Sequence, residues 1–154
     1  MNTYNDMLRE NFKDYEVLYR RANQYYHHQE YLKALDDLDS AVKYAPVTDT
    51  EMLFPIYALR SATYWQMKRY TLSLQEINKA LEIDPSNYAA VNMRADIEVE
   101  LGNYTAAKED YTKLQSLLHA VECFLRATGP CVKASAVIMY LAVIIRLCQA
   151  FFYP

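Results

Sequence analysis

The chain has 154 residues, 53% of them hydrophobic, and a formal net charge of −3. Its Lys and Arg residues are scattered and form no basic stripe that could neutralise a phosphate backbone, so nucleic acid is not expected as a partner. Because two glycines and five prolines are too few for a turn-rich all-β fold, we expect one all-α domain with a continuous core.

The first 14 residues are polar and are expected to form a short leading helix. No apolar run follows a basic start, so the sequence shows no secretory signal and we expect a cytoplasmic location. The cysteines fit neither a C-x-x-C motif nor a disulfide framework, and we interpret them as small apolar residues. They are Cys123, Cys131 and Cys148.

From Tyr15 onward the apolar residues follow the period of an amphipathic helix. A first helical face continues to Tyr26, the polar pair Gln29-Glu30 interrupts it, and a second face ends at Pro46. This pattern predicts a helix, a short turn and a second helix. The two faces consist of Leu18, Ala22, Tyr25, Tyr26, Tyr31, Ala34, Leu35, Leu38, Ala41 and Val42.

The same pattern recurs 39 residues later and again after a further 34 residues. In the second copy Pro85 ends the helix, and Ser86 or Asn87 is expected to cap the next one. In the third copy Gly102 lies in the turn, where a left-handed helix end favours glycine. Residues 49–53 are interpreted as a small insertion between the first and second copies.

A 34-residue period with small residues where two helices cross, a tyrosine opening the second helix and a proline after its end resembles the tetratricopeptide repeat family. The resemblance implies an all-α fold: an α-solenoid of three helix-turn-helix repeats with extra C-terminal apolar helices. We expect a leading segment at 1–14, repeat units at 15–48, 54–87 and 88–118, and a C-terminal capping helix with an apolar tail at 119–154.

The resemblance covers residues 15–118, with several departures from the family pattern. The third unit has no proline at its end and has Glu98 in place of an aromatic residue. Arg21, Arg60 and Arg94 stand where the family usually has a large apolar residue. These departures affect the third unit more than the other two.

Acidic and aromatic residues of the repeats are given structural roles. Carboxylates of the second helices are expected on a solvated outer face, namely Asp36, Asp37, Asp39, Glu109 and Asp110. Small residues let the helix backbones approach closely, and tyrosines are expected to fill the wedge between a helix pair and its neighbour. These tyrosines are Tyr25, Tyr31, Tyr64, Tyr70 and Tyr104.

Candidate binding residues lie on the first helix of each repeat, because these helices build the inner surface of a solenoid. Their mix of aromatic, apolar and amide groups suits a peptide or a partner helix better than a small charged metabolite. Trp65, the only tryptophan, is either the anchor of this groove or a packing residue between helices. The predicted groove residues are Tyr19, Arg20, Asn23, Tyr26, His27, Leu59, Ala62, Trp65, Gln66, Asn92, Met93 and Asp96, with Ala58 and Val99 beside them.

No catalytic, metal or cofactor site is expected. The sequence contains no glycine-rich phosphate loop and no G-x-S-x-G motif. His27 and His28 are adjacent, so they point in different directions on a helix and cannot share a metal ion. We therefore expect a non-enzymatic adaptor that binds a peptide or helix of another protein.

One specific partner class is disfavoured. Family members that bind the acidic C-termini of heat-shock chaperones use a clamp of Lys, Asn and Arg side chains on the inner helices. Here only Asn23 matches that clamp, so a chaperone C-terminal tail is not the expected partner. The other clamp positions are occupied by Tyr19, Leu59, Ala89 and Met93.

The last segment departs from the repeat pattern. Residues 134–153 are apolar and long enough to span a bilayer, although Arg146 would cost about 2.5–3.5 kcal/mol at the membrane centre. Three alternatives stay open: a helix that caps the solenoid or contacts a partner, a membrane anchor, and an aggregation-prone tail. A membrane anchor would make the chain a tail-anchored co-receptor or assembly factor at an organelle surface, with the repeats in the cytosol.

Overall fold

The structure, a computed structural model, describes the backbone of residues 3–127 and the side chains of residues 4–116. Within this part the chain forms seven α-helices and no strand, so the all-α prediction is confirmed. Helices that follow one another in the chain pack against each other, from α1 to α7. The helices are α1 (Thr3–Glu10), α2 (Tyr15–His27), α3 (Tyr31–Tyr44), α4 (Thr50–Gln66), α5 (Tyr70–Ile83), α6 (Tyr88–Glu100) and α7 (Tyr104–Ala127).

The first helix of each pair begins with a side-chain cap. Asp14 accepts a hydrogen bond from the Val17 amide at 3.0 Å, and Asp49 caps α4 in the same way. Asn87 accepts from the Ala90 amide at 3.1 Å, so of the two residues predicted to cap α6 it is Asn87 that does so. Such caps each contribute about 1 kcal/mol, because they satisfy an amide that has no partner within the helix.

Residues 49–53 are part of a longer helix rather than a separate insertion. Asp49 caps α4, and Thr50–Leu53 form its first turn, four residues before the predicted start of the unit. Leu53 is buried and packs in the core with Ile56. The extra residues therefore lengthen α4 at its beginning.

Each first helix ends in the same left-handed turn. Gln29, Lys68 and Gly102 have φ angles of 61°, 58° and 79°. In the first turn the Gln29 amide donates to the Tyr26 carbonyl and the Glu30 amide donates to the Tyr25 carbonyl, which is the Schellman arrangement. The prediction for Gly102 is confirmed, and the first two units make the same turn without glycine.

Small residues meet where the two helices of a pair cross, as predicted. Ala22 and Ala34 are fully buried in the first unit. In the second unit Ser61 and Ser73 take these places, and each hydroxyl donates to the backbone carbonyl of the other residue at 2.8 Å. The serines therefore keep the close approach of the helices and satisfy their own polar groups.

The buried apolar residues form two clusters. The first cluster joins α1 to α4 and includes Leu18, Leu38 and Ile56. The second cluster joins α5, α6 and α7 and includes Ile77 and Ile97. Tyr57 of α4 packs against both clusters, so the core continues from one unit into the next.

Tyr104 is not a wedge residue, in contrast to the prediction. The side chains of Tyr25, Tyr31, Tyr64 and Tyr70 are half-buried, whereas Tyr104 is 69% exposed. Tyr70 packs against a cluster to which the following helix α6 contributes. No helix after α7 is among the described residues, so nothing in that part of the chain lies over Tyr104.

The third unit ends differently from the others. Helices α3 and α5 have 14 residues each, whereas α7 has 24 and continues past the expected end of the unit at residue 118. The first two units have Pro46 and Pro85 after their second helix, and His119 stands at the matching place in the third. Because no proline stops the helix, residues 119–127 extend α7. The rest of the predicted C-terminal segment, residues 128–154, lies outside the described residues.

The prediction of a solvated face is confirmed for Asp36, Asp39 and Glu109, which are exposed, and is wrong for Asp37 and Asp110, which are buried. Asp37 receives two hydrogen bonds from Arg21, at 2.6 and 2.7 Å, and Asp110 receives the same two from Arg94. Each pair joins residues 16 positions apart and connects the two helices of a unit. The arginines at apolar family positions are therefore paired with carboxylates inside the unit.

The second unit has the same pair in a looser form. Arg60 Nη1 and Glu76 Oε2 lie 3.1 Å apart without the alignment of a hydrogen bond. Arg60 also forms an ion pair with Asp39 of α3 at 2.7 Å, and Lys79 donates to Glu76 at 2.8 Å. In this unit the arginine thus connects α4 to the preceding unit as well as to α5.

We expect Arg94→Met to lower the free energy of unfolding by about 2 kcal/mol, because it leaves the Asp110 carboxylate buried without a partner. Urea unfolding followed by circular dichroism measures the change. The double variant Arg94→Met/Asp110→Leu should lie within about 1 kcal/mol of the native chain. The exposed pair Arg20–Glu16 is the control, and Arg20→Met should cost less than about 0.5 kcal/mol. Equal losses for Arg94→Met and Arg20→Met would contradict this role.

The left-handed turns predict opposite effects for two reciprocal substitutions. Gln29→Gly should raise the free energy of unfolding by about 0.5–1 kcal/mol, since glycine adopts a positive φ without strain. Gly102→Ala should lower it by about 1 kcal/mol through backbone strain alone, because no atom lies within 4 Å of the added Cβ. Thermal and urea unfolding measure both changes, and a destabilised Gln29→Gly variant would refute the assignment.

Candidate functional site

The twelve predicted groove residues all lie on α2, α4 and α6, and none of them is fully buried. We call this set the first-helix surface. Arg20, His27 and Gln66 are exposed, and the other nine side chains are half-buried. Its members are Tyr19, Arg20, Asn23, Tyr26, His27, Leu59, Ala62, Trp65, Gln66, Asn92, Met93 and Asp96.

Several members of the first-helix surface also stabilise the fold. Tyr19 and Leu59 pack against the first core cluster, and burial raises the pKa of the Tyr19 hydroxyl. Trp65 and Met93 pack against the second cluster. A substitution at these positions changes core packing as well as the exposed part of the side chain, so binding experiments there need controls for stability.

Two aromatic pairs lie at the junction of first and second helices. The ring centroids of Tyr26 and Tyr31 are 5.9 Å apart, and those of Trp65 and Tyr70 are 5.1 Å apart in an edge-to-face arrangement. All four side chains are half-buried. Trp65 therefore has a packing role on Tyr70 and keeps part of its ring accessible, and its role as an anchor stays a prediction.

A polar residue of the next unit borders each aromatic pair. Gln66 of the second unit donates to the Tyr26 hydroxyl at 3.5 Å. Burial, and after it the nearby Glu100 carboxylate of the third unit, raise the pKa of the Tyr70 hydroxyl. The end of each following first helix thus lies beside the aromatic pair of the preceding unit.

Asp96 lies one turn before Glu100 on α6 and receives two hydrogen bonds. Asn92 donates to one carboxylate oxygen at 3.2 Å, and the Tyr111 hydroxyl donates to the other. The hydrogen bond to Asp96 raises the pKa of Tyr111 to about 12, because it stabilises the protonated phenol. Neither donor is positively charged, so this hydrogen bonding does not balance the charge of the Asp96 carboxylate.

The sequence prediction omitted three residues that border this surface. Tyr31 and Tyr70 are predicted as wedge residues between units, and the sequence pattern predicts no binding role for Glu100. The repeat itself holds the signal for the aromatic pairs, since Tyr26 and Tyr31 recur as Trp65 and Tyr70 after 39 residues. The proximity of Glu100 to Tyr70 depends on how one unit rotates on the next, which periodicity alone does not specify.

Two further properties concern the described part of the chain. Within residues 3–127 no helix is long and apolar enough to cross a membrane, and the candidate anchor at 134–153 lies outside this range. Among the described side chains, those of residues 4–116, no three His, Cys, Asp or Glu residues form a cluster that could hold a metal ion. His27 is exposed and its ring contacts Tyr26 edge-on.

Comparison with protein families gives a match to the tetratricopeptide repeat at residues 54–87 and 88–118. A DnaJ homolog subfamily C member 7 homolog of Dictyostelium discoideum is 30% identical over 98 residues, which cover 64% of this chain and 18% of that protein. Protein unc-45 homolog B of Xenopus tropicalis is 28% identical over 100 residues, covering 65% of this chain and 11% of that protein. The chain spans less than a fifth of either relative.

Solved structures with the same fold are also similar. A MamA RS-1 double mutant superposes with a TM-score of 0.67 at 20% identity, over 76% of this chain and 63% of that chain. The first TPR of Spaghetti (RPAP3), bound to the HSP90 peptide SRMEEVD, superposes with a TM-score of 0.59 at 18% identity, over 84% of this chain and 93% of that chain. Since the family model matches two consecutive units, residues 54–118 consist of tetratricopeptide repeats, and the superpositions show that the chain has the same fold as these structures.

Proposed function

We propose that this chain is a non-enzymatic protein-interaction adaptor and that its first-helix surface binds a peptide or helix of a partner protein. The Trp65–Tyr70 pair carries this proposal, because it offers a large, rigid and partly accessible aromatic surface beside polar groups of the next unit. Buried or half-buried Trp and Tyr side chains contribute most of the binding energy in many interfaces. The peptide held by the first TPR of Spaghetti (RPAP3) supports a peptide as the type of ligand.

The proposal includes three repeat units, at residues 15–48, 54–87 and 88–118. The family match covers the last two. The first unit is included because α2 and α3 share the left-handed turn, the crossing alanines and the arginine–carboxylate pair. A surface across three first helices is long enough for an extended peptide of several residues.

We propose a ligand that differs from an acidic chaperone tail. The HSP90 peptide SRMEEVD carries three acidic side chains. The first-helix surface has a single Lys or Arg residue, Arg20, and that arginine is already paired with Glu16 at 3.3 Å. An acidic peptide would therefore find no unpaired arginine or lysine there and would face the carboxylate of Asp96.

The groove proposal predicts that Trp65→Ala lowers partner affinity at least tenfold, because the aromatic anchor is removed. Partners are first captured with the full-length chain and identified by mass spectrometry, and the affinity of each purified partner is then measured by isothermal titration calorimetry. Circular dichroism and thermal unfolding establish that the variant is folded at the temperature of the assay.

Phe54→Ala is the matched control for this experiment. Phe54 also lies on α4, is half-buried and packs against the same core cluster as Trp65, but it is outside the first-helix surface. Its substitution should destabilise the fold by a similar amount and change partner affinity by less than twofold. If Trp65→Ala and Phe54→Ala weaken binding equally, or if neither does, the groove assignment is wrong.

The apolar sequence of residues 134–153 supports a second candidate function, that of a tail-anchored co-receptor or assembly factor at an organelle surface. This function predicts that the full-length chain in cells stays with the membrane pellet after carbonate extraction. Replacing two central residues, Val143→Lys and Ile144→Lys, should release it, because each lysine costs about 2.5–3.5 kcal/mol at the membrane centre. Complete extraction of the native chain would rule this function out.

A further inference from the structure

The charges along the first-helix surface are distributed unevenly. At the first unit Arg20 is paired with Glu16, so the charges of the two side chains balance. In the second unit the surface consists of Leu59, Ala62, Trp65 and Gln66, none of which is charged. At the third unit Asp96 belongs to the surface. The surface therefore changes from charge-balanced, to uncharged, to acidic along its length.

The acidic end has two carboxylates. Asp96 and Glu100 are four residues apart on α6, so they lie on the same face of the helix. Asp96 is half-buried and held by two neutral donors, while Glu100 is exposed. Among the described side chains neither carboxylate forms an ion pair with Lys, Arg or His. Within the described side chains both negative charges are therefore unbalanced.

The acidic end adjoins the aromatic pair. The ring centroids of Tyr70 and Trp65 are 5.1 Å apart, and both side chains pack against the same core cluster as Leu101, the neighbour of Glu100. One unit earlier, Gln66 at the place that matches Glu100 donates to Tyr26 of the matching aromatic pair. A Lys or Arg side chain in this place could lay its apolar stem on an aromatic ring and bring its charged group to a carboxylate. An acidic or uncharged side chain would gain only the aromatic contact.

We infer that the partner segment carries a Lys or Arg residue next to apolar residues, with the basic group at Asp96 and Glu100 and the apolar residues over Trp65 and Tyr70. This inference rests on the proposed function, since it names the chemistry and the direction of the segment that the first-helix surface binds. Charge complementarity selects a partner segment of another protein as the occupant, because the surface itself supplies no cation at this end.

The inference is tested by selecting peptides from a random display library on the immobilised full-length chain, with counter-selection on the Trp65→Ala variant. Selected peptides should be enriched in Lys or Arg beside apolar residues. A labelled copy of the best peptide is then titrated by fluorescence anisotropy at low and high salt. We expect affinity to fall as salt increases, because an exposed ion pair is screened.

A charge-neutral variant isolates the role of the two carboxylates. Asp96→Asn/Glu100→Gln should lower the affinity for the selected peptide about tenfold and reduce its salt dependence, since two ion contacts are lost. The control is Asp36→Asn/Glu82→Gln, which removes one exposed Asp and one exposed Glu from the second helices α3 and α5 and should change affinity less than twofold. Tyr111 can still donate to the carbonyl oxygen of Asn at position 96, so the fold should be retained.

The outcomes separate this inference from the function beneath it. Selected peptides without Lys or Arg would overturn the inference of a basic partner segment, and so would a peptide that binds the charge-neutral variant as tightly as the native chain. Neither result would contradict the groove proposal. If no peptide binds the native chain more tightly than the Trp65→Ala variant, both this inference and the groove proposal are wrong. Higher peptide affinity of the full-length variant Lys133→Ala/Arg146→Ala would show that the chain's own C-terminal segment competes, and concentration-dependent mass in light scattering would indicate a second copy. Either result would also overturn the inference.

Discussion

A charged pair constrains how the two helices meet inside each helix-turn-helix unit. An arginine of the first helix meets a carboxylate of the second helix 16 residues later, and in the first and third units the pair has the two-pronged geometry in which guanidinium and carboxylate fit best. Because such a pair is nearly buried, losing one partner is costly, so the two helices are held in one rotation and register. Arg21 also donates to Asn5 of α1, so it connects the first unit to the leading helix. Arg60 forms an ion pair with Asp39 of α3, so it connects the second unit to the first.

The connections between consecutive helices are of few types. Each first helix is started by Asp or Asn and ended by a left-handed residue, and each second helix begins directly from that turn. The joint is tight because the helices cross at alanines in the first unit and at hydrogen-bonded serines in the second. As a result the two half-buried aromatic pairs occur at matching places of the first and second units.

This regular framework also explains why the surface is asymmetric. The residues inside the units repeat, since every unit must make the same contacts. Other positions on and beside the first-helix surface do not repeat: the place of Gln66 in the second unit is taken by His27 in the first and by Glu100 in the third. Partner chemistry can therefore differ along the surface without altering the fold, which is how one architecture can serve many ligands.

The sequence by itself determined the all-α class, the helix pairs and the positions where they cross, because hydrophobic period, proline and glycine act through local backbone geometry. It also determined which side chains lie on the first helices. Only the tertiary structure decided that Asp37 and Asp110 are buried, because each carboxylate is bound by an arginine of another helix. It likewise decided that Thr50–Leu53 extend α4 and that Tyr104 is exposed. The nearness of Glu100 to Tyr70 depends on how one unit packs on the next, and that packing is set by contacts between distant residues rather than by local sequence.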